Sequence, residues 1–471
     1  MQIDNSTRLK KMLLDIRFWI VLFFVIRLFG ITNAPLEIGH NWRQSLTNMI
    51  TRNFFENGAN LLYPAIDMAG EKTGIIGSEF PLFNYLIYLV SELFGYEHWY
   101  GRLINLIVSS TGIYYFYLLV KKTVNEKTAF NASIVLLASI WFAFSRKIMP
   151  DTFSVSLIII GLYYAYQFLK IGKFLNVFLF FTFCTLGMLC KIPALSLFSL
   201  LGITLFIPEI SVQRKIQLYT AAALSFGIVC LWYFYWVPHL LAIYQYQLYF
   251  PKGFMEGLLE IKEYIPELLE KFYFSSLSSF AATLCFIVGI YFIAKSKQRL
   301  LKVGITLVSI VFIVFIIKTG SVFPLHNYYI IPFTPIMALI AGFAISKFSD
   351  KYQWMVLALI AIEGIANQQH DFFIKDSKLY KLELDEISSK NIPTNELIVI
   401  NGGQSPQDIY FSHRKGWTAH NHDVVRPEYI DSLNAIGANY LIIDKHRLEQ
   451  KFSELNSIYE DENYLIYNLQ K

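Results

Sequence analysis

The stretch FPLFNYLIYLVSELF, Phe80–Phe94, decides the topology of this chain, because it either crosses a membrane or lies along one. Charges elsewhere settle the choice. Lys and Arg gather ahead of the first apolar run (Arg8, Lys10, Lys11, Arg17) and again at Lys121/Lys122/Lys127 and Lys170/Lys173. Further clusters are Arg214/Lys215, Lys295/Lys297/Arg299/Lys302 and Lys347/Lys351. If Phe80–Phe94 does not cross, every cluster falls on one face, and an excess of Lys and Arg marks that face as cytoplasmic. If it crosses, the bias disappears. The segment is therefore expected to be a re-entrant or juxtamembrane helix on the outer face.

The other apolar runs reach or approach the length that ~30 Å of hydrocarbon requires. They are Phe18–Ile31, Leu103–Val120, Ala129–Phe144, Phe153–Leu169, Phe174–Cys190, Ala194–Ile207, Tyr219–Val237, Leu277–Ala294, Val303–Ile317, Tyr328–Ile345 and Trp354–Ala366. This predicts an α-helical polytopic membrane protein of about eleven spans. Composition agrees: 55% of the 471 residues are hydrophobic and only 16% charged, against roughly 25% charged in soluble proteins. No small-residue cleavage site follows Phe18–Ile31, so it reads as a retained span. Cys184, Cys190, Cys230 and Cys285 all lie inside apolar runs as small hydrophobes, with no metal-binding spacing and no disulfide framework. The net charge of +5 is modest, and no nucleic-acid partner is expected.

Four connections then face outward: a long first loop (32–102), Arg146–Thr152, Pro238–Ser276 and Lys318–Asn327. The third contains FMEGLLEIKEYIPELLEKF, whose apolar residues recur at helical spacing, as in a helix lying on the membrane or packed on its own protein. Residues 1–370 read as the membrane module. From 371 to 471 charge rises, and ELIVING, NYLIIDK and NYLIYNL read as strands, with RPEYIDSLNAIGA as a helix between them. An odd number of spans makes this small α/β domain extracytoplasmic and leaves the N-terminus cytoplasmic.

Ionisable groups at membrane depth are costly unless paired or functional. Here both signs collect at the outer ends of spans. The carboxylates are Glu37, Asp67, Glu79 and Asp151; the imidazoles are His40 and His326; the cations are Arg43, Arg52, Arg146, Lys147 and Lys191. Cations suit the phosphate of a lipid-linked donor. A carboxylate suits the acceptor hydroxyl and the cationic character of a departing sugar. Glu79 with His326 is the pair that a divalent metal would use.

At these residues the sequence resembles the dolichyl-phosphate-mannose protein mannosyltransferase-like membrane glycosyltransferases of the GT-C fold, relatives of the lipid A aminoarabinose transferase. The resemblance runs from about Ile31 to Ser346, through HNWRQ…RNF, LYPAID, GSEFPLFNYLI, GRLINL, FSRKIMPDTFS, KIPAL and HNYYIIPFTP. It implies a polyprenyl-phosphate sugar donor, an extracytoplasmic active site at the inner membrane, and a lipid, glycan or protein acceptor. It also implies a first loop bearing the catalytic carboxylate and short juxtamembrane helices. Carried over, Glu79 matches the Glu opening an E-x-P-P-like segment where a metal or acceptor contact is expected, although Phe80 and Leu82 alter that cluster. Asp151 matches a second acidic position, Arg146, Lys147 and Lys191 the phosphate-contacting cations, and His326 the His before the late span. One departure stands out. Relatives with the WRQ signature often carry Asp three residues after the Arg, where this chain has Leu46. The base is then sought among Glu37, favoured because it sits just beyond the first span, His40 and Asp67. Arg43 and Arg52 read as donor-phosphate or loop-folding residues.

The expectation is a glycosyltransferase, inverting by direct displacement. Its rivals are a transporter or flippase of a lipid-linked saccharide and a lipid-linked oligosaccharide ligase or polymerase. The absence of internal repeats and the gathering of charges at one face weigh against a transporter.

Overall fold

The computed structural model describes residues 11–246 and 251–470; Arg8 and Lys10 of the first basic cluster lie outside them. The helices that position the residues of interest are α1 (Ile16–Arg27), α2 (Asn41–Asn57), α3 (Leu82–Phe94), α4 (Tyr100–Thr123), α5 (Pro150–Ile171) and α6 (Phe174–Cys190). The chain divides into two compact units. Among the described residues, the first takes in those up to 31, 101–233 and 251–372; the second takes in 32–100, 234–246 and 373 onward. The sequence reading grouped 32–102 with the spans, whereas compactness groups nearly all of that loop with the C-terminal residues.

Among the described residues, Tyr100–Thr123, Pro150–Ile171, Val212–Tyr244 and Arg299–Thr319 are long and apolar enough to cross a membrane. Ile265–Ser275 and Phe280–Lys295, bent by 97° at their break, make a fifth span if counted together. Trp354–Ala366 lies within the unbroken 19-residue helix Asp350–Gln368, and the remaining expected runs are helical but shorter or broken. α1 has 12 residues. Ala129–Phe144 is divided between Glu126–Ala138 and Trp141–Phe144. Ala194–Ile207 is largely 3-10 helix. Apolar composition places a segment away from water without specifying one unbroken helix. α3 has 13 residues, about 20 Å at 1.5 Å per residue, and is too short to cross. Its buried residues Phe83, Ile87 and Ser91 form one stripe at i, i+4, i+8, and Asn84 Nδ2 donates to Thr47 O of α2 at 2.7 Å.

In the first unit, α5 and α6 pack at close range because small residues line their contact. A Cβ on Gly161 would meet Cys184 Sγ, and Ser154 Oγ donates to Gly187 O at 2.7 Å. This closeness brings the first turn of α5 beside the last turn of α6.

The second unit is built on a five-stranded sheet in the order β2-β1-β3-β5-β4, comprising β1 (Leu397–Ile400), β2 (Gly416–Thr418), β3 (Ala438–Asp444), β4 (Asn456–Glu460) and β5 (Tyr464–Asn468). β2, β1 and β3 are parallel; β5 and β4 complete the sheet antiparallel. Alternation sends Ile398 and Ile400 to one face and Val399 to the other. The first face joins one buried cluster with Leu384, Ile387, Ile409 and Phe411 and, through them, with Leu46, Met49, Ile50 and Phe54 of α2; the second is covered by Ile430 and Leu433 of Pro427–Asn434. Each buried side chain of this kind contributes roughly 1.5–3 kcal/mol. The loop helix is therefore part of the core on one face of the sheet. The three strands and the helix read from the sequence are present. β2 and β4 were not legible: β2 has three residues, and β4 is a mostly exposed edge reading NSIYE.

Candidate active site

In the first unit, Pro150 opens α5 and Asp151 occupies its first turn, where the amide dipoles favour a carboxylate. Lys191 caps the C-terminus of α6, where they favour a cation. The antiparallel packing of the two helices brings the charges together: Lys191 Nζ lies 3.7 Å from Asp151 Oδ1, with side chains 12% and 5% exposed. Asp151 Oδ2 is buried without a hydrogen-bond partner among the described residues. The ammonium also lies 5.5 Å from the centroid of the Tyr328 ring. His326 packs against Tyr328 and Tyr329, and its Nδ1 is 3.0 Å from Val322 O. Burial holds the His326 pKa below 6.5, and the Lys271 and Lys191 ammonium groups act in the same direction. Lys271, itself buried, donates to Asn327 Oδ1 at 2.7 Å. Two lysines, Asp151 and a neutral histidine thus gather in one place, with Glu270 and Glu267 also acting on the Lys271 ammonium, and the lysines are groups that can receive an anion.

A second set of cations surrounds the end of α1. Arg146 Nη2 donates to Gly30 O at 2.8 Å, and its guanidinium lies 4.2 Å from the Phe372 ring centroid. Arg102 Nη1 donates to Ile31 O at 3.4 Å. Arg27 donates to Phe23 O and Ser145 Oγ, and is fully buried. Lys147 pairs with Asp371 at 3.0 Å, which makes it a brace between its loop and the last helical segment of the unit. Arg27, Arg102 and Lys271 were not singled out from the sequence. The first two carried a signal, a charge within or at the end of an apolar run. Lys271 sat in a run alternating Glu, Lys and Leu and carried none.

In the second unit, Glu37 is fully buried and accepts from Asn33 Nδ2 at 3.1 Å. His40 precedes α2 in a left-handed conformation (φ 52°), after Gly39 at φ 82°. This sharp turn, strained for a non-glycine residue, aims the chain into the helix. Arg43 forms an ion pair with Glu79. Arg52 meets Asp67 Oδ2 at 3.0 Å and donates to Tyr410 O at 2.8 Å, while Asn53 Nδ2 donates to Asp67 Oδ1 at 2.8 Å. Both Asp67 oxygens are thus engaged in bracing α2 to the α/β core, which disfavours Asp67 as a base and Arg52 as a phosphate ligand.

Among the described residues no three His, Cys, Asp or Glu side chains gather as metal ligands, and the Glu79 carboxylate is given to an arginine. That donor set does not fit a divalent cation, and no step is routed through one.

Residues 78–236 match the family model of dolichyl-phosphate-mannose-protein mannosyltransferases, a stretch that includes Glu79, Arg146, Lys147, Asp151 and Lys191. No curated protein matches the chain. Among solved structures it is similar to ArnT from Cupriavidus metallidurans bound to undecaprenyl phosphate, with TM-score 0.63 and 12% identity over 95% of this chain and 97% of that one. The apo form of that protein gives TM-score 0.60 at the same identity and coverage. The archaeal oligosaccharyltransferase AglB from Archaeoglobus fulgidus, in complex with an inhibitory peptide and a dolichol-phosphate, gives 0.59 and 12% identity over 91% of this chain and 69% of that one. The chain is therefore a membrane protein that shares the GT-C fold of these transferases and resembles the mannosyltransferases in residues 78–236.

Proposed function

We propose that this protein is a glycosyltransferase that moves a sugar from a polyprenyl-phosphate donor to a lipid, glycan or protein acceptor on the extracytoplasmic face of the inner membrane. The family match and the fold support a polyprenyl-linked transferase. The observation that carries the reading is the cluster of Lys191, Lys271, Asp151 and neutral His326. Lys191 and Lys271 neutralise the donor phosphate, and Asp151 holds Lys191 in position. Arg146, with Arg27 and Arg102 nearby, adds positive potential. Glu37, which sits just beyond the first span, is the base in preference to His40, and Asp67 is committed to Arg52 and Asn53. The acceptor hydroxyl gives its proton to the base as its oxygen attacks the anomeric carbon. The bond from that carbon to the phosphate oxygen breaks, and polyprenyl phosphate departs with the electron pair, its charge held by the lysines. One displacement inverts the anomeric centre. The one-sided basic clusters support a cytoplasmic N-terminus and an extracytoplasmic α/β unit.

The test is incubation of the purified full-length protein with radiolabelled polyprenyl-phosphate sugars and acceptor fractions, measuring transfer and released polyprenyl phosphate. Glu37→Gln is expected to abolish transfer while folding is retained. Absence of transfer with every donor, alongside measurable lipid translocation, would overturn the proposal.

A further inference from the structure

The parallel strands β2, β1 and β3 all end at the same edge of the sheet. The chain leaves β1 to one side for β2 and returns to the other side for β3, so β1/β3 is a topological switch point, where open α/β sheets form a crevice. A cavity of about 450 Å³ lies there, lined by Asn401 after β1 and Arg447 after β3, and a second of about 360 Å³ adjoins it beside Trp417 and Thr418 of β2; both are lined by Gly403 and His420. Their sizes fall in the ordinary range of small-molecule sites, about 300–1,000 Å³.

The two ends differ in chemistry. The smaller cavity is walled by Trp417, Tyr246 and Tyr429, and by Asp423, whose charge is paired with Arg426. The indole of Trp417 backs onto Gly70, which has φ +61° and where any Cβ would collide with the ring. Tyr246 is held by its hydroxyl, which donates to Met68 O at 3.2 Å. The larger cavity presents His420, Asn421 and Arg447. The arginine invites an anionic ligand, but three of its five donors and its charge are already engaged within the protein. Nε meets Asp444 at 3.2 Å, Nη1 donates to Gly402 O at 2.9 Å and Nη2 meets Asp408 at 3.0 Å. Asp408 also pairs with the buried Lys381, so two cations balance two carboxylates and leave no surplus charge for a phosphate. Aromatic faces beside neutral and bifunctional polar groups match a molecule with apolar C–H faces and a rim of hydroxyls.

We propose that this cleft binds a neutral saccharide. Resting on the transferase reading above, it is the docking site for a glycan acceptor. Saturation-transfer NMR on the full-length protein in detergent reads this directly, with mannobiose, chitobiose and lactose as probes and mannose 6-phosphate as the anionic comparator. Transfer to at least one neutral disaccharide is expected, with apparent affinity reduced tenfold or more by Trp417→Ala and by His420→Ala. The His420 side chain is exposed and makes no hydrogen bond among those described, the residue's bonds being those its backbone carbonyl accepts from Asp423 and Val424, so its variant keeps the experiment informative should Trp417→Ala unfold. No signal from any neutral probe, retention of full affinity in His420→Ala, or a tenfold preference for the phosphate would each overturn the proposal. The measurement needs neither donor nor turnover. Saccharide binding in a protein that transfers no sugar would therefore sink the transferase reading and leave the cleft standing.

Discussion

Replacing Lys191 by Met separates its support of the fold from its contact with donor. At 3.7 Å and an effective dielectric of about 20, the Lys191–Asp151 attraction is about 4–5 kcal/mol before desolvation. Removing the cation strands a carboxylate that is 5% exposed, a defect of about 3–5 kcal/mol. The amide dipoles at the start of α5 return about 1 kcal/mol. Lys191→Met should therefore destabilise the protein by about 2–4 kcal/mol, and adding Asp151→Asn should recover most of that loss, since a neutral amide no longer needs the cation. Transfer should behave differently. A lost charge-assisted bond to donor phosphate is worth about 1.5–3 kcal/mol, or roughly 10- to 150-fold in kcat/KM, and the second substitution cannot restore it. The assay is a double-mutant cycle, with thermal unfolding in detergent beside initial rates against donor concentration. If the double variant regains wild-type kcat/KM together with its stability, Lys191 is a structural partner of Asp151 and its assignment to the donor fails.

Arg52→Ala should act on stability more than on donor use. It leaves Asp67 short of its charge partner in a buried setting, a loss of about 3–5 kcal/mol, and limited proteolysis should show the second unit opening. At a permissive temperature the donor KM should stay within about threefold of wild type, a difference under 1 kcal/mol; a large rise would return Arg52 to the donor. His413 provides a pH test. Contacts with Asp385 and then Glu56 raise its pKa from 6.5 to about 9 in the folded protein. The stability it contributes is complete below pH 6.5 and is lost as pH rises through about 9. His413→Asn, which tolerates the left-handed backbone there (φ 50°), should flatten that decline in thermal-unfolding scans from pH 6.5 to 9.5. A slope unchanged from wild type would refute the assignment.

The candidate site was legible where charge interrupts apolar sequence. Asp151 and Lys191 each stood out between apolar runs, and they meet because small residues let α5 and α6 pack closely. Glu79 and His326 stood out equally, but a single sequence does not reveal that Arg43 claims the Glu79 carboxylate. Arg52 and Asp67 were read as site residues because buried braces and substrate ligands use the same side chains. Only the positions of Tyr410 and Asn53 distinguish the two roles.

Hydropathy and basic clusters were sufficient to define a membrane-embedded helical protein with a sheet-forming C-terminal segment, since solvent partitioning acts on local composition. They did not determine where helices break, or that α2 of the first loop joins the core of the C-terminal sheet. Those outcomes depend on contacts between residues more than 300 positions apart, such as Arg52 with Tyr410. Pairings at that distance leave no periodicity in the sequence and arise only when complementary surfaces pack together.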